Sequence, residues 1–179
     1  MSTLQIVLIV VIAVMAVAVA WLLFSRQRSK RLRARFGPEY QRTVSDVGGV
    51  NRAERQLERR QKRVEKLNIH PMPPEARDRL AGAWQEDQAR FVDDPGGAVE
   101  QADHLVAEAM QLRGYPVADF DQRVDDLSVD HAPVVQNYRA ARDIMARHTR
   151  GQASTEDLRH AIVYYRALFE DLLEVQEVR

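Results

Sequence analysis

Residues 4–24 form one apolar run in which Gln5 is the only strongly polar side chain. At 1.5 Å per residue a helix over such a run is about 30 Å long, the thickness of bilayer hydrocarbon. A helix in the core of a globular domain carries polar residues at helical intervals, and this run carries none. Trp21 falls near the distal end, where an indole prefers the membrane interface. The pattern predicts a transmembrane helix within residues 1–24. A cleavable signal peptide is the competing reading, with Ala18-Val19-Ala20 as its cleavage site. Against it, no Lys or Arg precedes the run, and the run exceeds the roughly 7–15 residues of a signal core.

The next block is charged. Helix is expected to continue from the apolar run to Arg35, and Phe36-Gly37-Pro38 then breaks it, since Pro removes a backbone donor. Val47-Gly48-Gly49-Val50 reads as a flexible joint, and Asn51 with Glu54 three residues on as a capping box. From 52 to 67 a thin stripe of Ala53, Leu57, Val64 and Leu67 is interrupted by Arg60. Two heptads are too few for a coiled coil, so this reads as a solvated spacer helix. His70-Pro71-Met72-Pro73-Pro74 stops it and marks a domain boundary. Three segments follow: 1–24, 25–68 and 69–179.

Helical spacing resumes in the third segment. Leu80, Trp84 and Phe91 define a stripe over 75–92, with Pro74 suited to the first helical position. Asp94-Pro95 opens a second helix with Val99, Ala102, Leu105, Val106, Ala109 and Met110 inward, and Gly114 ends it. A short acidic helix covers 119–127. Val134, Tyr138, Ala141 and Met145 mark another over 133–148, closed by Gly151. Ser154 and Asp157 cap the last, which buries Leu158, Ile162, Tyr165, Leu168, Phe169 and Leu172. Period-2 alternation is nowhere sustained. The expected fold is therefore all-α: one transmembrane helix, a charged juxtamembrane helix, then a bundle of four to five helices.

Charge changes the picture more than composition does. The net charge is zero, yet residues 25–66 hold 14 Lys and Arg against 5 Asp and Glu, while 67–179 hold 12 against 21. The chain thus reads apolar, basic, acidic. Arg26, Arg28, Lys30, Arg31, Arg33 and Arg35 follow the apolar run closely. By the positive-inside rule they leave the N-terminus outside and the C-terminal domain in the cytoplasm, at a plasma membrane. The same six residues suit anionic headgroups, each worth about 1 kcal/mol near the surface. No helix-turn-helix or aromatic-interleaved pattern accompanies them, so nucleic acid is not expected. Cysteine is absent, which removes disulfides, thiolate ligands and a lipoprotein anchor. Arginine greatly outnumbers lysine, a bias of GC-rich bacterial coding.

Candidate chemistry is sparse. Glu100, His104 and Glu108 share one helix face, but diiron bundles need matching motifs on other helices, and none is present. Asp119, Asp121, Asp125, Asp126 and Asp130 lack the glycine of a calcium loop and read as a solvated acidic surface. The histidines are scattered, with surface or capping roles expected for His70, His131, His148 and His160. No cofactor, metal or catalysis is expected. Tyr164 and Tyr165 are adjacent and cannot both be buried on one stripe. Tyr115, Phe120 and Tyr164 are accordingly taken as candidate partner-binding residues.

Several segments carry a resemblance. They are Arg35-Phe36-Gly37-Pro38-Glu39-Tyr40-Gln41-Arg42-Thr43-Val44, Phe91-Val92-Asp93-Asp94-Pro95, Arg113-Gly114-Tyr115-Pro116, Asp126-Leu127-Ser128-Val129-Asp130-His131 and Tyr165-Arg166-Ala167-Leu168-Phe169. As a set they resemble an uncharacterised family of small bacterial single-pass membrane proteins with a helical cytoplasmic domain. The resemblance implies that architecture and transfers no activity; it marks 35–44 and 114–131 as distinctive. The expected function is a membrane-anchored helical interaction module, an adaptor or regulator, meeting membrane lipid and a protein partner, with self-association open. A tethered ligand- or metal-sensing domain is the alternative.

Overall fold

Eight α-helices and no strand make up the described residues, 3–117 and 119–174, of the computed structural model. They are α1 (Thr3–Phe36), α2 (Pro38–Val47), α3 (Val50–Val64), α4 (Pro74–Arg90), α5 (Pro95–Leu112), α6 (Phe120–Asp130), α7 (Ala132–Thr149) and α8 (Thr155–Leu173). The chain divides into two compact units, Met1–Leu57 and Glu58–Arg179.

In the first unit α1 runs unbroken for 34 residues. It holds no Gly or Pro until Gly37, where φ of +47° turns the chain and Pro38 starts α2. Every side chain from 11 to 24 is exposed. Leu32, Phe36, Tyr40, Ala53 and Leu57 are the buried apolar side chains of this unit. The segment after Pro38, which the hydrophobic pattern left unassigned, is a ten-residue helix. The Glu54 carboxylate does not serve a capping box with Asn51: Ser29 and Tyr40 donate to it at 2.5 and 2.9 Å.

In the second unit α8 lies against both α5 and α7, with α4 on α5 and α6 on α7. Trp84 of α4 stacks on Phe169 of α8, and Tyr138 of α7 meets Tyr165 of α8 edge-on. Caps follow their sequence signals. Asp94 and Asp119 accept from Gly97 and Gln122, and Ser154 with Asp157 closes a capping box on α8. Bonds from Ser154 first, and then from Arg147, hold the Asp157 carboxyl down at about 2.

Gly114 ends α5 in a Schellman turn, with Gly114 N–H bonded to Gln111 and Tyr115 N–H to Met110. Its φ is +88°, and a Cβ there would meet the Asn68 carbonyl oxygen at 2.3 Å. That contact seats the segment before α4, where His70 N–H bonds the Arg113 carbonyl at 3.1 Å.

The solvated spacer expected over 52–67 is corrected. Ala53, Leu57, Arg60 and Val64 are buried, and the part from Glu58 onward belongs to the second unit. Arg60 does interrupt the apolar seam, but it reaches Asp125 at 2.6 Å. Arg63 donates through Nε and Nη2 to Asp126 and through Nη1 to Gln122. The acidic run is therefore not a uniform solvated surface. Asp126 is fully buried, and burial raises Asp125 above the usual carboxylate range against the pull of Arg60.

Candidate functional site

The six basic residues that follow the apolar stretch all lie on α1, and packing sorts them. Ser25, Arg28, Ser29, Leu32 and Phe36 recur at helical spacing and form the covered face. Arg28 lies on that face, 3.8 Å from Glu54. Arg26, Lys30, Arg31, Arg33 and Arg35 stand exposed. Arg33 places its guanidinium 5.1 Å from the centre of the Tyr40 ring, a cation–π contact that orients it. The cluster thus presents five outward charges, while the sixth takes part in holding α3.

Glu54 carries that join. It is 2% exposed and gathers Ser29, Tyr40 and Arg28, drawn from both preceding helices. A buried carboxylate is tolerated where its oxygens are bonded and a cation stands near. Sequence reasoning missed this role because Glu54 also fits a local capping signal.

The three aromatic residues expected to meet a partner part company. Tyr115 is 2% exposed, and its hydroxyl lies 3.2 Å from His131 Nε2 and 3.4 Å from Asp130. It is a core residue here, so the anchor role expected of it is corrected. Burial, and then the Asp130 charge, push its hydroxyl far above the usual tyrosine range. Phe120 is half-buried, tilted against Tyr138 with Arg142 over its ring. Tyr164 is half-buried beside His160, while Tyr165 is fully buried, as their adjacency required.

Of the surface or capping role expected for His131, the cap position holds, at the end of α6 and the start of α7. The surface role is corrected: it is 1% exposed and bonds Asp171 through Nδ1 and Tyr115 through Nε2. The chain Asp171–His131–Tyr115 ties α8 to the α6–α7 junction and the turn after α5. Of the carboxylates flanking His104, Glu108 is engaged by Arg79 at 2.6 Å. Among the described residues no three His, Asp or Glu side chains gather as a metal-ligand set.

Among the described residues several buried polar atoms have no hydrogen-bond partner, and both carboxylate oxygens of Asp87 are among them. Asp87 on α4 is 1% exposed, and the nearby Trp84 Nε1 is likewise unbonded. Burial first, with Asp94 adding to it, raises the Asp87 carboxyl to about 6 against the opposing charge of Arg90.

Among the described residues, fold and site together define an all-α protein with one N-terminal helix long and apolar enough to cross a membrane. Compared with protein-family models, characterised proteins and solved structures, the chain matches none.

Proposed function

We propose that the protein is a membrane-anchored helical interaction module, an adaptor or regulator at the cytoplasmic face of a bacterial plasma membrane. The observation that carries this reading is the continuity of α1, whose bare apolar stretch runs without a break into five exposed basic residues. Such a helix lowers its free energy by placing the first part in hydrocarbon and the second among headgroups. The N-terminus then lies outside, and the helical domain is held where a protein partner or a second copy can meet it. Its acidic balance favours a partner with a basic surface, and Phe120 and Tyr164 supply half-buried aromatic edges for contact. The reading assigns no catalysis, consistent with the resemblance to a family of single-pass membrane proteins.

The test is crosslinking of the full-length protein in its native membrane, followed by mass spectrometry. One dominant foreign protein, lost when Phe120 and Tyr164 are both replaced by Ala, supports the adaptor. Recovery of lipid and the chain alone overturns it in favour of self-association or membrane sensing.

A further inference from the structure

The exposed positive charge of the first unit is not confined to α1. Arg52 and Arg55 stand on α3, either side of Glu54 in sequence; both are exposed, and neither makes an ion pair among the described residues. Glu54 in turn is bonded to Ser29. Ser29 lies five residues beyond Phe24, which places it about 7–8 Å along the helix axis from the end of the apolar stretch. That is within one Debye length, about 8 Å at physiological ionic strength. The hydrogen bond therefore holds this turn of α3 at the depth where headgroup charge is still felt.

We infer that anionic lipid headgroups are bound by two helices of this unit, with Arg52 and Arg55 of α3 joining Arg26, Lys30 and Arg31 of α1. An anionic lipid surface is favoured over an acidic protein because the Ser29–Glu54 bond fixes the α3 charges near the end of the apolar stretch. A lipid surface there meets them without recruiting a second molecule. The inference rests on α1 crossing the membrane, and it adds to that reading a share of the selectivity for anionic lipid carried by α3 beside that of α1.

The absence of cysteine allows a single label. Asn51→Cys, exposed at the start of α3, carries a fluorophore on the full-length protein in mixed vesicles. Phosphatidylglycerol or phosphatidylcholine bearing a nitroxide near the headgroup is the quencher. The expected result is preferential quenching by phosphatidylglycerol. That preference falls in Arg52→Gln/Arg55→Gln, roughly fivefold for each charge removed, and returns in Arg52→Lys/Arg55→Lys. An unchanged preference in the Gln variant overturns the inference, as does a loss that Lys does not restore. An alkaline wash of the same vesicles separates the two readings. Protein that stays shows the anchor stands and leaves selectivity to decide on α3; protein that washes off overturns both.

Discussion

The indole of Trp84 lies nearly flat on the ring of Phe169, with centroids 4.5 Å apart and 18° between the planes. This is a direct side-chain contact between α4 and α8. Trp84→Ala or Phe169→Ala is expected to cost about 3–5 kcal/mol in a denaturation series, through lost burial and the cavity left behind. A double-mutant cycle isolates the ring–ring part, expected at about 1 kcal/mol. A coupling of zero would mean that α4 is held by its other contacts alone.

Asp87 gives the fold a pH dependence of stated sign. Its carboxyl rises from an ordinary 3.8 to about 6 on folding, so the folded chain holds a proton that the unfolded chain releases. Its protonated form is the one the fold accommodates. Stability is full below about pH 4, falls as pH climbs through 6, and levels off above. The total loss is on the order of 1–3 kcal/mol. Asp87→Asn removes this slope. Unfolding midpoints measured between pH 4 and 8 on both proteins check it, and parallel curves would refute it.

The Arg63–Asp126 pair joins residues 63 positions apart, with Asp126 fully buried. Arg63→Ala leaves that carboxylate buried with only Gln122 to donate to it, at 3.2 Å. A loss on the order of 3 kcal/mol is expected, at the low end for a broken buried pair because Arg63 is partly exposed. Adding Asp126→Ala removes the orphaned charge and should recover part of the loss. If the double variant is no better than the single one, burial of the carboxylate is not the source of the cost.

Gly114→Ala tests the turn after α5. The left-handed backbone alone makes about 1–3 kcal/mol of strain with a Cβ present. The 2.3 Å approach to the Asn68 carbonyl adds a clash that a backbone atom cannot avoid by rotating. Amide exchange should accelerate at His70, whose N–H bonds the adjacent Arg113. Unchanged protection at His70 would separate the two segments.

The helices of the second unit were legible because their signals are local. Leu80 and Trp84 on α4, the Asp94-Pro95 start and Gly114 stop of α5, and the Ser154–Asp157 box of α8 each lie within a few residues of what they determine. The charged residues were not legible in this way. Glu54, Arg60, Arg63, Asp126 and His131 all look like surface residues, yet each is covered or paired by a partner that only the fold brings near. His131 and Asp171 are 40 positions apart, and no periodicity links them. Tyr115, taken from the sequence as a candidate partner-binding aromatic, is instead folded inward by the Schellman turn that ends α5. The basic cluster was visible as a cluster, while its division into five outward side chains and Arg28 required the position of Glu54.

Because α1 has no Gly or Pro before Gly37, it behaves as a stiff rod from its apolar part to its arginines. Rolling that rod by one residue swings every side chain around the axis by about 100°. With no joint to absorb the twist, the rotation reaches Arg28 and Ser29 undiminished, and Glu54 passes it to α3 as a sideways pull. A change in how the apolar part is seated is thus delivered as torque to the first helices beyond it.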